Sequence, residues 1–387
     1  MVVTMKRVCV EGWRNINHSY AMVNQFQLLE MAKFPMELRH TDTPHYKSTW
    51  NAKDNASGLN ADQAAILTAI EQPDPSEKLD VIYRIEYPFN FADSRADQTF
   101  VFGTTEHQTL DDKFINRTPA QANKDDSFTI VTPSQWSKQG YLRAGFSDEK
   151  VRVVPHGINP DNLHIAQPQK RARFRENIGL LDADFMLLSM GAMTPNKGVD
   201  ILVIAFALLH QKFDNLKLVL KDQSNLYGAT AQNVINNVQK TKFANLLTDE
   251  CLSDIFIISD NLTLSQIHGL YAATDCLVSP YRAEGFNLTP LEAAACGIPI
   301  VVTKGGATDE FFDPCMGAQI ESLLSEFEGN DTRAFLNPQL DSLIHELAQI
   351  ITGQNKCGGE AGSQFAHENF SWNRVTKQLV GLFGVQA

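Results

Sequence analysis

Short apolar runs of strand length alternate with segments of helical periodicity, and this alternation occurs twice along the chain. Such a pattern is typical of parallel α/β sheets, in which each helix returns the chain to begin the next strand. The sequence therefore predicts two α/β units of similar architecture, and a helical tail after Pro338. The predicted strands of the first unit are 7–10, 37–40, 80–85, 99–103, 128–132 and 151–154, and those of the second are 185–190, 216–220, 255–259, 276–279 and 298–302.

The length and composition suit a globular protein of two ordinary domains. The chain has 387 residues, of which 43% are hydrophobic and 20% charged, as in folded rather than disordered proteins. No apolar run reaches the roughly 18 residues that a membrane helix needs. The apolar stretch within residues 1–13 is short and is interrupted by Lys6, Arg7 and Glu11. We therefore expect no signal peptide and a cytoplasmic protein.

The charge and the cysteines exclude several classes of function. The net charge of −12 argues against a nucleic-acid partner, which would need a basic face. An anionic membrane would gain little from such a surface, although a local basic patch would still allow peripheral contact. The six cysteines show no CxxC pair and no metal spacing, so we expect reduced thiols. Nothing in the sequence indicates the oligomeric state.

Two acidic residues with seven residues between them follow the predicted strand 276–279. Glu284 lies in a glycine-containing loop, and Glu292 follows the pair Thr289-Pro290, which predicts a helix with Thr289 as its N-cap and Gly297 as its C-terminal stop. Glu292 then falls in the first helical turn. Carboxylates accept hydrogen bonds from sugar hydroxyls, and a helix N-terminus binds phosphate. The segment therefore predicts a site for a polyhydroxylated anion.

A structural alternative exists for Glu292. The pattern Thr289-x-x-Glu292 is also a capping box, in which the glutamate reaches back to the N–H of Thr289. This alternative stays open for Glu292, but it does not account for Glu284.

The segment 281–303 resembles the E-x7-E segment of retaining GT-B glycosyltransferases, specifically the large family 4 group that uses nucleotide sugars. The segments 131–138 and 152–157 are similar to the strand and linker of that family, and Phe370-Ser-Trp372 is similar to the start of its closing helix. The resemblance covers most of the chain. It implies an α/β protein of the GT-B class, with two Rossmann-like parallel-sheet domains facing across a cleft and a C-terminal helix crossing back to the N-terminal domain. The implied domains are 1–160 for the acceptor, 161–367 for the nucleotide-sugar donor, and 368–387 for the returning helix.

The resemblance also implies roles for residues of the second domain. It assigns Glu284 to the donor sugar, the loop amides of 286–288 to sugar and phosphate, and Glu292 to the ribose. Lys197, at the end of the loop 191–198, matches a lysine that stabilises the leaving diphosphate. The full implied donor site comprises Lys197, Lys221, Glu284, Gly285, Phe286, Asn287, Leu288, Thr289 and Glu292.

The chain departs from the family pattern in the loop that carries Lys197. Ala192 stands where the family usually has an arginine. Losing one such donor commonly lowers the rate about 10²–10³-fold. Lys221, at the end of the next predicted strand, is the candidate replacement, and a solvated lysine at a strand end is the alternative.

The first domain supplies the remaining candidates. His107 resembles the family's cleft histidine, which contacts the donor sugar, and with Glu284 and Lys197 it completes the implied catalytic set. Glu106 is a candidate for binding an acceptor hydroxyl. The loop 11–18 has one glycine where the family has a pair, and its side chains either shape an acceptor pocket or fill the cleft floor. The residues in question are Gly12, Trp13, Arg14, Asn15, Asn17 and His18.

We expect neither a cofactor nor a metal. The string Asp182-Ala-Asp184 precedes a strand, at the wrong end of the sheet for a ligand, and is interpreted as chance. No G-x-G-x-x-G follows the first strand, which argues against a dehydrogenase.

The predicted reaction is metal-independent transfer of a sugar from a nucleotide-diphosphate sugar to a saccharide or other hydroxyl acceptor, with retention of configuration. The acceptor attacks the face that the diphosphate leaves, and the diphosphate takes the acceptor proton. Two alternatives stay open: an epimerase or phosphorylase of the same fold, and a catalytically silent subunit that binds sugar nucleotides.

Overall fold

The computed structural model describes residues 5–47, 50, 59–111, 115–326 and 333–386. The chain divides into two compact units, of which the first contains residues 1–159 and 370–387 and the second residues 160–369. Each unit contains one six-stranded sheet whose neighbouring strands all run parallel. The predicted α/β class with two parallel-sheet domains is therefore confirmed.

The elements follow one another in the predicted alternation. The strands are β1 Lys6–Gly12, β2 Met36–Asp42, β3 Leu79–Ile85, β4 Ala96–Phe102, β5 Phe128–Thr132, β6 Val151–Val153, β7 Phe185–Gly191, β8 Leu216–Asp222, β9 Ile255–Ile258, β10 Cys276–Ser279, β11 Ile300–Thr303, β12 Gly317–Ile320, β13 Ser322–Glu326 and β14 Ala334–Pro338. The helices are α1 Ser19–Met31, α2 Ala61–Ala69, α3 Pro119–Ala122, α4 Gln135–Arg143, α5 Pro168–Asn177, α6 Val199–His210, α7 Ser224–Tyr227, α8 Ala231–Val238, α9 Asp249–Ser253, α10 Leu264–Ala273, α11 Leu288–Ala295, α12 Leu340–Ile351, α13 Gly359–Phe370 and α14 Trp372–Leu382.

The first unit has the strand order β2-β1-β3-β4-β5-β6. From β1 the chain moves to β2 at one edge of the sheet, and from β3 onward it moves strand by strand toward the other edge. The β1/β3 pair is therefore the topological switch point of the sheet. Helix α14 closes this unit against α1, where the rings of Phe26 and Trp372 stack with centroids 5.7 Å apart. The backbone of Trp372 also donates to Ile158 over 3.0 Å. The end of the described chain therefore completes the core of its first unit.

The second unit has the strand order β12-β11-β10-β7-β8-β9, which is the order of the dinucleotide-binding folds. Its switch point lies between β7 and β10. One face of this sheet is covered by α6, whose buried side chains include Leu202, Val203 and Phe206, together with α8 and α12. The carboxyl ends of β7 and β10 are therefore the edge at which a ligand is expected.

Every predicted strand is present, with ends shifted by a few residues, and the predicted helical tail after Pro338 is also present. Three strands were not predicted: β12, which adds to the edge of the second sheet, and the antiparallel hairpin β13–β14. No described helix combines the length and the apolar character that crossing a bilayer requires.

Candidate active site

The loops that follow β7 and β10 bring two of the predicted residues into contact. The ammonium group of Lys197 donates to Oε1 of Glu284. Glu284 is only 4% exposed, whereas the side chain of Lys197 keeps 25% of its surface accessible. A buried carboxylate and a partly accessible ammonium group therefore lie together at the switch point of the second sheet.

Hydrogen bonds made by Asn196 join the loop after β7 to the loop after β10. The carbonyl of Asn196 accepts the N–H groups of Arg282, over 2.6 Å, and Ala283, over 3.3 Å. The side-chain amide of Asn196 donates to the Ala283 carbonyl over 3.0 Å. Gly198 has a φ of 67°, and a Cβ at this position would overlap the carbonyl oxygen of Pro280. The position of Lys197 relative to Glu284 is thus fixed by the residues on either side of both.

An ion pair adds a further link. The guanidinium group of Arg282 binds both carboxylate oxygens of Asp200, at 2.7 and 2.8 Å, and donates to the Pro195 carbonyl over 2.8 Å. Neither this pair nor the contacts of Asn196 were predicted from the sequence. The sequence signal that could have indicated a constrained loop here is Asn196-Lys197-Gly198, a turn whose glycine directly precedes helix α6.

Helix α11 begins two residues earlier than predicted. Its N-cap is Asn287, in the left-handed conformation with φ 72° and ψ 75°, and not Thr289. Pro290 is consequently the third helical residue rather than the first. The Asn287 side chain donates to the Ser279 hydroxyl over 2.8 Å, and no side chain among the described residues caps the helix. The amides of the first turn thus have the arrangement that binds anions at helix N-termini.

The predicted end of this helix is confirmed. Gly297 adopts a φ of 77°, and its N–H donates to the Ala294 carbonyl over 2.8 Å. The N–H of Ile298 donates to the Ala293 carbonyl over 3.0 Å. These two bonds form the Schellman motif, in which a left-handed glycine terminates a helix.

Glu292 does not form the capping box. Because the helix starts earlier than predicted, this residue lies in its second turn. Its Oε2 accepts a hydrogen bond of 2.7 Å from the Tyr271 hydroxyl, on α10. Burial raises the pKa of the Glu292 carboxyl to about 7, against the opposing effect of that hydrogen bond. The carboxylate is therefore anchored to a neighbouring helix and titrates close to neutral pH.

The side chains between the two acids hold the loop in place. Phe286 is 3% exposed, and its ring lies 5.1 Å from that of Phe311. Because this side chain is buried, the backbone from Gly285 to Leu288 is fixed between the carboxylate of Glu284 and the start of α11. Thr289, which is not the cap, places its hydroxyl 3.5 Å from the Asn287 side-chain oxygen.

Lys221 is buried rather than solvated. It is 4% exposed, its ammonium group donates to the carbonyl of Asp222, and burial lowers its pKa. Lys221 on β8 is paired with Met190 on β7. Met190 lies two residues before Ala192 in the chain. A cation is therefore present at the strand neighbouring the position where the family pattern has an arginine.

In the first unit, the loop after β1 is largely filled by its own side chains. Trp13 is 1% exposed and donates its indole N–H to the Pro44 carbonyl over 2.9 Å. A Cβ on Gly12 would lie 2.6 Å from Cγ2 of Ile85, so this glycine allows close packing within the sheet. For Gly12 and Trp13 the structure favours the alternative in which the loop fills space.

Two polar residues of the same loop also have structural partners. The guanidinium group of Arg14 binds both oxygens of Asp42, at 2.8 and 2.6 Å. Nδ1 of His18 accepts the Tyr20 N–H over 3.1 Å and so caps α1. Burial lowers the pKa of His18 to about 4, so this imidazole is neutral at pH 7. Asn17 is partly buried.

The loop after β4 carries the other two candidates. Glu106 is exposed and His107 partly buried. The loop is anchored by Thr105, whose N–H and hydroxyl bind Ser137 at 2.8 and 2.6 Å, and by the Trp136 indole, which donates to the Glu106 carbonyl over 2.7 Å. Both candidates belong to the first unit, whereas Lys197 and Glu284 belong to the second.

In the acidic string before β7, Asp184 has a hydrogen-bond partner within the chain. The carboxylate of Asp184 accepts the Leu181 N–H over 2.7 Å, at the edge of the sheet opposite Glu284. Within the described ranges, no three His, Cys, Asp or Glu side chains are grouped as a metal site requires.

Comparison with protein families identifies the segment that carries this site. Residues 170–315 match the family described as "Glycosyl transferases group 1". This segment is a group 1 glycosyltransferase domain. It contains Lys197, Lys221, Glu284 and Glu292, and hence the whole predicted donor site.

Two curated relatives match a longer part of the chain than this segment, at 25% and 29% identity. A D-inositol 3-phosphate glycosyltransferase of Segniliparus rotundus is 25% identical over 243 residues, covering 61% of this chain and 47% of that protein. An MMP alpha-(1->4)-mannosyltransferase of Mycolicibacterium hassiacum is 29% identical over 238 residues, covering 61% and 49%. The chain thus spans about half the length of the curated relatives it matches.

Solved structures share the fold over nearly the full chain. A glycosyltransferase from Rickettsia africae ESF-5 has a TM-score of 0.69 at 15% identity and covers 98% of both chains. Anabaena Alr3699/HepE, solved in complex with UDP and glucose, has a TM-score of 0.67 at 14% identity and covers 98% of this chain and 99% of that one. The fold of the chain that carries the glycosyltransferase domain is accordingly the GT-B fold.

Proposed function

We propose that the protein is a retaining glycosyltransferase that moves a sugar from a nucleotide-diphosphate sugar to the hydroxyl of a glycan or other acceptor, without a metal. The observation that carries the proposal is the contact of Lys197 with the buried carboxylate of Glu284 at the β7/β10 switch point. Both residues lie within the group 1 glycosyltransferase domain.

Lys197 is proposed to stabilise the leaving group. When the bond between the anomeric carbon and the diphosphate breaks, negative charge builds on the phosphate oxygens. A fixed ammonium group and the amides at the start of α11 then interact more strongly with the transition state than with the ground state. One such donor typically contributes about 10²–10³ in rate.

The two carboxylates are proposed to bind hydroxyls. Glu284 accepts hydrogen bonds from the transferred sugar, and Glu292 accepts them from the ribose. Neither residue is assigned as a nucleophile. In the proposed step the bond from the anomeric carbon to the diphosphate oxygen breaks, and a bond to the acceptor oxygen forms on the same face. The acceptor proton passes to the departing phosphate, so that atoms and charges balance without a protein base.

Lys221 is proposed as the second cation of the donor site. Its position beside Met190 in the sheet supports this assignment, because Ala192 leaves the loop after β7 without the arginine of the family pattern. A buried ammonium group acts through a lower effective dielectric than an exposed one, which strengthens its interaction with a nearby anion.

Ala192 also favours a second candidate function. If no other group replaces the missing cation, the protein binds sugar nucleotides without turnover and serves as a subunit for an active partner. Ala192→Arg separates the candidates, because a large gain in rate would show that the site of the natural protein lacks a charge. Epimerase and phosphorylase activities are separated by their products, an epimerised nucleotide sugar or a phosphate-dependent release.

The proposal is tested first by thermal unfolding with UDP, GDP, ADP, CDP and dTDP. A nucleotide at about 100 times its Kd stabilises the folded protein by roughly 2.7 kcal/mol, which raises the Tm by several degrees. We expect one nucleotide to give this shift, and Lys197→Ala to abolish it. Lys304→Ala is the matched control, since Lys304 forms an exposed ion pair with Glu321 in the same unit.

The transfer reaction is then measured with sugars attached to the selected nucleotide. Glu284→Gln should lose transfer while keeping the Tm of the free protein within a few degrees. A protein that shows no nucleotide-dependent shift, or a Glu284→Gln variant that transfers at the natural rate, would contradict the proposal.

A further inference from the structure

The first unit contains a pocket of about 460 Å³ that lies outside the predicted site residues. It lies at the carboxyl ends of β2 and β3, between the loops that follow these strands. Ile115 and Asn116, which precede α3, also line it. Its volume falls within the range of small-molecule sites. The lining residues are Pro44, His45, Tyr46, Glu86, Tyr87, Pro88, Phe89, Asn90, Ile115 and Asn116.

The topology of the sheet places this pocket where ligands bind in open α/β folds. Strands β2 and β3 flank β1, and the β1/β3 pair is the switch point of the sheet. Ligands of such sheets bind outside the carboxyl ends of the strands at that point. The loop after β1 is filled by Trp13, which is 1% exposed, so the open space lies beside it, between the loops after β2 and β3.

Aromatic rings form one wall of the pocket. The rings of Tyr46 and Tyr87 meet edge to face with centroids 5.2 Å apart, and Tyr87 meets Phe89 in the same way at 5.5 Å. Tyr46 is 48% exposed, so about half of its surface is open to a ligand. Tyrosine combines an apolar ring face with a polar tip, and this combination suits a sugar ring, which has both C–H faces and hydroxyls.

Hydrogen-bonding groups complete the lining. Glu86 is partly buried and burial raises its pKa. The carboxamide groups of Asn90 and Asn116 bind each other over 3.0 Å. A carboxylate accepts from paired hydroxyls, and an amide both donates and accepts. This set suits neutral hydroxyl groups.

The charge of the pocket disfavours a phosphorylated ligand. None of the described lining residues is Lys or Arg. The guanidinium group of nearby Arg84 is 5% exposed and binds the carboxylate of Glu11 at 2.9 Å and the Asn90 carbonyl at 3.0 Å. Lys47 follows the lining residue Tyr46 in the sequence, and its ammonium group lies 5.7 Å from the ring centre of Trp50. A phosphate in the pocket would therefore face the Glu86 carboxylate with no Lys or Arg among the described lining residues to offset its charge.

We infer that this pocket binds the acceptor as a neutral saccharide, stacked on Tyr46 and Tyr87 and hydrogen-bonded to Glu86, and that it excludes sugar phosphates. This inference rests on the proposed function, since it names the acceptor class of the same reaction. It also distinguishes this chain from relatives whose names include a sugar or inositol phosphate.

The inference is tested by direct binding. Methyl glycosides of glucose, galactose, mannose and N-acetylglucosamine are compared with the corresponding 1-phosphates and with inositol 3-phosphate, using saturation-transfer NMR and calorimetry. We expect at least one neutral glycoside to bind, and Tyr46→Ala to weaken that binding tenfold or more. Ile66→Ala, which removes a 43% exposed side chain of α2, should leave it unchanged.

Glu86→Gln tests the basis of the selectivity. Removing the carboxylate charge should narrow the preference for the neutral glycoside over its 1-phosphate by about fivefold or more, as expected for losing one close charge repulsion. Tighter binding of a sugar phosphate than of every neutral glycoside would overturn the inference. Absence of saccharide binding, or affinities unaffected by Tyr46→Ala, would also overturn it.

Nucleotide binding distinguishes failure of this inference from failure of the proposed function. If a nucleotide raises the Tm and its sugar is consumed while no neutral glycoside binds, only the acceptor assignment fails. If no nucleotide binds while a glycoside does, the proposed transferase reaction fails and the saccharide site stands.

Discussion

The hydroxyl of Tyr271 donates to Glu292 over 2.7 Å and so joins helix α10 to helix α11. This bond holds the carboxylate proposed to bind the ribose. It also favours the ionised form of Glu292, although burial has the larger effect and raises the pKa from its ordinary value of 4.5 to about 7. The protonation state of Glu292 therefore changes within the range of pH in which the protein would be assayed.

Nucleotide affinity should rise with pH through about 7. The ionised carboxylate accepts hydrogen bonds through both oxygens, whereas the protonated acid carries a donor in place of part of that capacity. With a pKa of about 7, the ionised fraction falls roughly fivefold between pH 7 and pH 6. We expect the affinity to fall by a similar factor, measured by calorimetry. Tyr271→Phe should move the midpoint to higher pH, because the lost hydrogen bond stabilises the ionised form. A pH-independent affinity would contradict the role of Glu292.

The stability of the free protein should have the opposite dependence on pH. A carboxyl group with a raised pKa stabilises the fold below its unfolded pKa and loses that contribution as the pH rises through its folded pKa. The free energy of unfolding should therefore fall between about pH 4.5 and pH 7, and Glu292→Gln should remove this part of the fall. Glu250→Gln, at an exposed position of the same unit, is the control. Parallel profiles for Glu292→Gln and the natural protein would show that Glu292 titrates normally.

Lys197 and Glu284 should behave as one unit in kinetics. Lys197→Ala removes a donor to the leaving group and should lower kcat about 10²–10³-fold. Because the two side chains are in contact, the loss in the double variant with Glu284→Gln should be far smaller than the product of the single losses. Lys304→Ala should leave kcat within twofold. Multiplicative losses would indicate that the two residues act independently.

Gly198 should tolerate no side chain. Gly198→Ala combines the strain of a φ of 67° with overlap against the Pro280 carbonyl, so it should cost more than the roughly 1–2 kcal/mol of a left-handed alanine and reduce nucleotide binding. Gly228→Ala is the matched control, since Gly228 has a φ of 74° and a Cβ added to it would meet no atom within 4 Å. Denaturant unfolding of both variants measures the difference. Equal losses would mean that the contact with Pro280 does not constrain the loop.

Removing the ring of Trp372 should destabilise the first unit. Trp372 is 4% exposed and stacks on Phe26, so Trp372→Ala should cost about 3–5 kcal/mol. Lys377→Ala, at an exposed position of the same helix, should change stability by less than about 0.5 kcal/mol. Hydrogen exchange should locate the loss in α1 and its neighbouring strands. A loss confined to the second unit would contradict the packing of α14 on α1.

The parts of the fold predicted correctly are those encoded by local pattern. The buried parallel strands have continuous apolar runs, and the end of α11 has its glycine, so both could be recognised from a few neighbouring residues. Strand β12 was missed because Gly317-Ala318-Gln319-Ile320 has neither a continuous apolar run nor clear alternation. The hairpin β13–β14 exposes Leu323 and Leu324 at 63% and 55%, contrary to what apolar patterning predicts.

Tertiary contacts account for what the sequence did not reveal at the site. The Thr289-Pro290 pair is a strong helix-start signal, yet the helix begins at Leu288 because Asn287 adopts a left-handed conformation and its side chain binds Ser279. The contact of Lys197 with Glu284 joins residues far apart in the chain. The pocket of Tyr46, Glu86 and Tyr87 has no motif, since its residues come from three separate loops of the first unit.

The return of α14 to α1 has a consequence for biosynthesis. Residues 370–387 belong to the first unit, but the ribosome makes them only after the whole of the second unit. At roughly 5–20 residues per second, the nascent first unit waits on the order of ten seconds or more for its closing helix. During that interval the surface that later receives Trp372 is uncovered, and apolar surface exposed in this way is what chaperones bind. The second unit, whose residues are contiguous, can complete its fold first.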